Sequence, residues 1–174
     1  MSLSKLVSSL LEDGKTFLLL ARDASRKGHD SLALSYCRAV FFSAWSALEG
    51  WINYIAKSFA ETDHSLSMYE IAFLKEKRLE VTEDGIVRLT NQDEYRSTLT
   101  KLVFILRKFG GDFDLKHSQP DLWRELKEIE QMRHGIMHPK TREQEIRLNI
   151  KDAEKCFNVT VKLVNLLRDR IFER

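Results

Sequence analysis

The stretch that decides the fold is DSLALSYCRAVFFSAWSALEGWINYIAKSFA, residues 30–60. Apolar side chains recur along it every three or four residues, the spacing of one face of an α-helix. This stripe comprises Leu32, Tyr36, Val40, Ala44, Leu48, Ile52, Ile55 and Phe59. A second apolar line runs through Phe42, Trp45, Ile52 and Ala56, and the polar residues Glu49 and Asn53 lie within it. The pattern predicts a long helix packed on two sides at the centre of a bundle.

The rest of the chain predicts further helices around this one and a single hairpin. Helices are expected over residues 3–26, about 66–78, about 93–109, from 119 onward with Ser118 as N-cap, and 149–172, with a loop over 112–120. The segment LEVTEDGIVRLT, residues 79–90, contains two β-prone runs joined by Asp84-Gly85, a typical hairpin turn. The predicted fold is all-α: an up-and-down bundle of about five helices with a small β-hairpin inserted near residues 78–90, in a single domain spanning 1–174.

Composition and charge narrow the functional classes. The chain has 28 basic and 26 acidic residues and a net charge of +2, so a strongly basic nucleic-acid binder is not indicated and any such binding must be local. No apolar run approaches the roughly 20 residues of a membrane-spanning helix. The N-terminal segment does not resemble a secretory signal. Cys37 and Cys156 fall in apolar helical patterns, which is typical of buried, reduced thiols. We therefore expect a cytoplasmic protein.

The segment EIEQMRHGIMHPKTRE, residues 128–143, carries the most unusual chemistry. The apolar stripe of its helix passes through Leu122, Leu126 and Ile129, and the next position of the stripe is Arg133. A guanidinium is always charged, so an arginine near a packing face requires an anionic partner or access to solvent. The carboxylate of Glu49, on the second apolar line of the central helix, is a candidate partner.

A break in this helix affects which side chains meet. Proline disfavours helical geometry at the preceding residue, so Pro139 predicts that the helix ends or kinks around residues 135–138. On an unbroken helix Arg133 and His138 would diverge by roughly 140°, whereas a kink could bring both to one cleft. An arginine that holds a phosphate and a histidine that moves a proton are what cleavage of RNA by its own 2′-hydroxyl requires.

Less specific interpretations of the same residues stay open. Glu130 lies one turn before both Arg133 and His134 and could pair with either as a surface contact. His134 and His138, four residues apart, could bind a metal on one face if the helix persisted, although no third ligand has suitable spacing. Glu49 could be an ordinary buried acid with a structural partner.

The segment RHGIMHP, residues 133–139, resembles the Arg-x4-His motif of the HEPN superfamily. Arg133 matches the arginine of the motif, His134 its polar position and His138 its histidine. SALEGWINYIAK, residues 46–57, is similar to the earlier helix of that family, in which an acidic residue packs beside the motif; this residue maps onto Glu49, with Asn53 beside it. IKDAEKCFNVTVKLVNLL, residues 150–167, resembles the closing helix.

The resemblance implies a metal-independent endoribonuclease without a cofactor, of the kind found in toxin–antitoxin and other defence systems. It also implies a homodimer in which two motifs face one cleft, RNA as the substrate, and a cognate antitoxin or regulatory protein as a partner. His138 would transfer protons, Arg133 would stabilise phosphate charge with the help of His134, and Glu49 would orient Arg133. Lys140 and Arg142 would contact the RNA backbone, and Asn53 would also bind the RNA.

The alternative is a non-catalytic HEPN-like module that binds RNA or a partner protein. In that case Arg133 and Glu49 would form a buried ion pair with a structural role only.

Overall fold

The computed structural model describes residues 3–137 and 148–173. Within these ranges the chain forms seven α-helices and one two-stranded antiparallel hairpin, which confirms the predicted all-α bundle with an inserted hairpin. The helices are α1 (Leu3–Arg26), α2 (Asp30–Thr62), α3 (Met68–Lys75), α4 (Thr98–Lys108), α5 (Leu115–Ser118), α6 (Pro120–Met137) and α7 (Ile150–Ile171), and the strands are β1 (Lys77–Val81) and β2 (Val87–Asp93). None of the helices in these two ranges has the length and apolar character needed to cross a membrane.

Helix α2 is the centre of the bundle, as its two apolar lines predict. It packs against α1, α7, α3 and α4. The turn from α1 into α2 is made by Gly28, whose φ of +74° places it in the left-handed region, and the His29 N–H closes this turn on the Ala24 carbonyl oxygen at 2.9 Å. Glycine adopts this conformation without the steric cost that other residues incur. Two long helices joined by so short a turn pack side by side as a hairpin.

The hydrophobic core lies between α2 and the helices that surround it. Its largest fully buried side chains are Phe41, Leu48, Ile52, Ile55, Leu102, Ile105, Leu106, Leu115, Leu126, Ile129, Leu163 and Leu167. The predicted stripe of α6 is buried, because Leu122, Leu126 and Ile129 all face this core. Burying such side chains is the main source of stability for a helical bundle, so the stripe fixes which side of α6 faces inward.

The hairpin forms where the Asp84-Gly85 turn predicts it. Its strands pair Leu79 with Leu89 and Val81 with Val87. Gly85 has a φ of +76° and donates its N–H to the Thr82 carbonyl oxygen at 2.9 Å. A residue in the left-handed region at this point lets a short loop reverse the chain, which explains why glycine follows Asp84.

Glu76 attaches the base of the hairpin to the bundle. It ends α3 in the left-handed conformation, with a φ of 51°, and its carbonyl oxygen accepts a hydrogen bond from the Glu94 N–H at 2.8 Å. Its carboxylate accepts hydrogen bonds from the Arg96 backbone N–H at 2.9 Å and pairs with the Lys101 ammonium at 3.2 Å. The hairpin is therefore held at a fixed position beside α4.

The prediction of an uninterrupted loop over residues 112–120 is wrong. A single helical turn, α5, forms there because the Asp114 carboxylate accepts hydrogen bonds from the backbone N–H groups of Lys116 and His117, at 3.0 and 3.3 Å. Ser118 is the last residue of α5, so it is not the free N-cap predicted for α6. An aspartate cap compensates for the weak helix propensity of so short a segment.

Both cysteines are buried and unpaired. Burial raises the pKa of the Cys37 thiol, and it raises the pKa of the Cys156 thiol to about 12. Because the thiolate is the reactive form, we expect Cys156 in a Cys37→Ala variant to react with a thiol reagent about 100-fold more slowly than in the same variant unfolded in guanidinium. Equal rates in the folded and unfolded states would contradict the packing of α7 against α2.

Candidate functional site

A small cleft between α2 and α6 contains two of the residues singled out in the sequence. Its volume is about 70 Å³, and its walls include Phe42, Trp45, Ser46, Glu49, Arg133 and Ile136. The α2 residues project from one side of that helix, and Arg133 and Ile136 project from the last turns of α6. A larger cleft of about 530 Å³ at the ends of α1, α2 and α7 contains none of the candidate residues.

Arg133 lies in this cleft on an aromatic surface. Its guanidinium carbon is 5.3 Å from the centre of the Trp45 ring, and Trp45 is 3% exposed. Arg133 lies one turn after Ile129 on the buried stripe of α6. The Arg133 side chain therefore lies at the edge of the core, where it is half-buried. A tryptophan face attracts a cation by about 0.5–2 kcal/mol without neutralising its charge. The guanidinium is therefore positioned and remains a full positive charge.

The Glu49 carboxylate is held by a different partner from the one proposed above. The buried hydroxyl of Thr98, at the start of α4, donates a hydrogen bond to Glu49 Oε1 at 3.1 Å. Within residues 3–137 and 148–173, Glu49 and Arg133 line the same cleft but form no ion pair. Glu49 therefore has the Thr98 hydroxyl as its partner, and Arg133 has the Trp45 ring, in place of the ion pair expected between the two charged groups.

Glu130 and His134 lie close to Arg133 on α6. Partial burial raises the pKa of the Glu130 carboxyl, and the positive charges of Arg133 and His134 act in the opposite direction. The structure shows no ion pair between Glu130 and Arg133 among the residues it describes, so the proposed surface pair is not formed there. His134 is exposed and is not part of the cleft lining.

Asn53 lies one turn beyond Glu49 on α2 and has a separate environment. Its Oδ1 accepts a hydrogen bond from the ammonium of Lys101, on α4. The side chain lines a second, open groove at the base of the hairpin rather than the Arg133 cleft. The structure thus places Glu49 with Arg133, and Asn53 one helical turn farther along α2 in a separate groove.

Three of the predicted site residues lie outside the described part of the chain. They are His138, Lys140 and Arg142, and their predicted roles stay predictions. Helix α6 is continuous through Gly135 to Met137, the last described residue before 148, so the break expected around residues 135–138 stays a prediction. No group of three or more His, Cys, Asp or Glu side chains that could hold a metal occurs in residues 3–137 and 148–173. The proposed metal site of His134 and His138 includes His138, which lies outside these residues.

Three residues of the site were not identified from the sequence. Trp45 was assigned only to the core, although its position four residues before Glu49 on the second line of α2 places both on one side of the helix. Thr98 and Lys101 were not recognised at all. Lys101 lies four residues before the core residue Ile105 on α4, and a lysine on a core face is the signal that could have identified it.

Compared with protein-family models, with curated proteins and with solved structures, the chain gives no significant match in any of the three.

Proposed function

We propose that this chain is a metal-independent endoribonuclease of the HEPN type. The observation that supports it best is the state of Arg133, whose guanidinium lies over the Trp45 ring, in a cleft, without a carboxylate partner among the described residues. An arginine paired with a carboxylate is already neutralised, whereas one held by an aromatic face retains its charge for a phosphate. The cleft lies at the end of α6 that leads directly into His138.

In the proposed reaction the ribose 2′-hydroxyl attacks the adjacent phosphorus atom, and the bond from phosphorus to the 5′-oxygen of the next nucleotide breaks. His138 removes the proton from the 2′-hydroxyl or protonates the leaving 5′-oxygen, and water serves as the proton acceptor or donor in the other transfer. Arg133 stabilises the negative charge that develops on the phosphate oxygens, and His134 helps to position the phosphate. The products are a 2′,3′-cyclic phosphate and a free 5′-hydroxyl.

Glu49 has a modified role in this proposal. Because its carboxylate is fixed by Thr98 and not by Arg133, it contributes a negative wall to the cleft and leaves Arg133 unpaired. Arg133 is then oriented by Trp45, while Glu49 acts on it through the electric field across the cleft. This differs from the direct pairing that the resemblance implies.

The partners in the proposal follow from the resemblance to the HEPN superfamily. RNA is the substrate, Lys140 and Arg142 contact its backbone, and a homodimer brings two motifs to one cleft. A role as a toxin or defence effector in the cytoplasm, with a cognate antitoxin or regulatory protein, belongs to the same proposal.

The alternative is a non-catalytic module that binds RNA or a protein. In that alternative Arg133 and Glu49 would serve only as a buried ion pair, and that pair is absent from the described part of the chain. This finding supports the nuclease over a module held together by that pair.

The test is incubation of the purified protein with mixed-sequence RNA in excess EDTA, with analysis of the product ends. We expect the native protein to produce 2′,3′-cyclic phosphates and the His138→Ala variant to be at least about 100-fold slower, the usual contribution of a general acid or base. His117→Ala is the matched control, since His117 is an exposed histidine on α5. Cleavage at the native rate by folded His138→Ala would remove His138 from the mechanism, and inactivity of the folded native protein on all RNAs would favour the binding module.

A further inference from the structure

A groove at the base of the hairpin begins at Asn53, one helical turn after the Arg133 cleft residue Glu49 on α2. Its volume is about 410 Å³, and it lies between α2, the end of α3 and the first residue of β1. Its polar lining consists of three lysines, two glutamates and one amide: Lys57, Lys75, Lys77, Glu61, Glu76 and Asn53. This groove is not used by the reaction proposed above.

A buried lysine, Lys101, binds two of the residues that line the groove. Lys101 is 3% exposed, and its ammonium donates a hydrogen bond to Asn53 Oδ1 and pairs with the Glu76 carboxylate at 3.2 Å. An ammonium can only donate, so the oxygen of the Asn53 amide must face Lys101. The amide NH₂ group of Asn53 is consequently directed away from Lys101 and remains a hydrogen-bond donor for another group. The exposed position of Asn53 in the groove makes that donor accessible to a ligand.

The lysines of the groove are held only by exposed partners. Lys57 is 4.0 Å from Glu61, and Lys77 pairs with Asp93 on β2. Exposed ion pairs contribute little, so a phosphate can replace these carboxylates at small cost. Lys75 is also exposed. The Glu76 carboxylate, by contrast, is committed to Lys101. A ligand therefore meets three ammonium groups and the Asn53 amide donor against one exposed carboxylate, Glu61, and this excess of positive charge suits a polyanion.

The groove and the cleft share one face of α2. Glu49 lines the cleft, and Asn53 and Lys57 line the groove. The three residues are spaced four apart along α2. Positions four apart lie on the same side of a helix, and eight residues span about 12 Å along its axis. A single extended strand that reaches Arg133 can therefore continue along α2 into the groove.

We propose that this groove binds the phosphodiester backbone of single-stranded RNA next to the phosphate that Arg133 engages. This proposal rests on the proposed nuclease function, because the groove would bind a second segment of the same RNA substrate. Asn53 and the three lysines would contact phosphates. Glu49, which can only accept hydrogen bonds when ionised, lies between the two sites and suits a ribose 2′-hydroxyl as donor.

The test is the salt dependence of RNA binding, measured by fluorescence anisotropy with a labelled single-stranded RNA in a His138→Ala background that prevents cleavage. Each lost phosphate contact reduces the slope of log K against log salt by about 0.7 for a single strand. For a Lys57→Glu/Lys75→Glu variant we expect a slope smaller by about 1.4 and affinity at low salt at least about tenfold weaker. Lys5→Glu/Lys15→Glu is the control, because it makes the same charge change at exposed positions of α1.

The outcomes separate this proposal from the nuclease. The same slope and affinity in the groove variant and in the control would overturn the groove, even if the native protein cleaves RNA. A reduced slope in the groove variant alone would support it, even if the native protein cleaves no RNA. If the double glutamate variant does not fold, Lys57→Met/Lys75→Met removes the two charges without reversing them, and the same comparison of slopes decides.

Discussion

Replacing Arg133 with alanine is expected to slow RNA cleavage by about 100- to 1,000-fold, the usual effect of removing one preorganised donor to developing negative charge. The fold should be nearly unaffected. Arg133 is half-buried, and its contact in the described part of the chain is the Trp45 face, which is worth about 0.5–2 kcal/mol. Arg133→Lys retains the charge but loses the planar stacking and the two-pronged contact with phosphate, so we expect an intermediate rate.

The control for this prediction is Arg124→Ala on the same helix. Arg124 is exposed and pairs with Asp121, so its removal changes the net charge equally without touching the cleft. Rates should be measured under single-turnover conditions beside thermal unfolding of each variant. If Arg133→Ala cleaved RNA as fast as Arg124→Ala, Arg133 would have no catalytic role. If Arg133→Ala instead lowered the free energy of unfolding by several kcal/mol, Arg133 would have a structural role.

The largest effect on stability is expected from Glu76→Gln. This substitution removes the anion that accompanies Lys101, whose side chain is almost completely buried, and leaves an uncompensated ammonium there. Breaking a buried pair in this way typically costs 3–5 kcal/mol. Because the Glu76 side chain is 29% exposed, we expect about 2–3 kcal/mol, measured by urea denaturation.

Lys101→Met provides the matched comparison. It removes the buried charge while keeping most of the side-chain volume, and the Glu76 carboxylate that remains can reach water and still accepts the Arg96 N–H. We expect a loss below about 1.5 kcal/mol, as for other volume-conserving replacements. In the double variant Glu76→Gln/Lys101→Met, most of the loss caused by Glu76→Gln alone should be recovered. A Glu76→Gln variant as stable as the native protein would show that Lys101 does not depend on this anion.

Local periodicity was sufficient to predict most of the architecture. Helix α2, the buried stripe of α6 and the start of α7 at the Asn149 cap with Asp152 three residues later were all predictable, because each depends on residues close together in the chain. The hairpin was predictable for the same reason, from Asp84-Gly85. The prediction was wrong at residues 115–118, where one aspartate cap was enough to form a helical turn, and at residues 93–97, because β2 continues to Asp93 and α4 begins only at Thr98.

The candidate site was predictable only in part. The position of Arg133 on an apolar stripe correctly placed its side chain at the edge of the core, and Glu49 was correctly placed in its neighbourhood. Their partners were not predictable. Arg133 contacts a residue 88 positions earlier in the chain, and Glu49 contacts one 49 positions later. Several neighbouring groups could satisfy each charge, and no pattern in the sequence ranks them.

The sequence by itself determined most of the helical segments, the sides of α2 and α6 that face the core, and the position of Arg133 at the edge of that core, since these depend on spacing along one helix. The tertiary structure alone decided the partners of these side chains. Arg133 contacts Trp45, Glu49 binds Thr98, and Lys101 binds both Asn53 and Glu76. Contacts of this kind depend on the relative position and rotation of packed helices to within about one side chain, and that is set by how the whole core fills its volume.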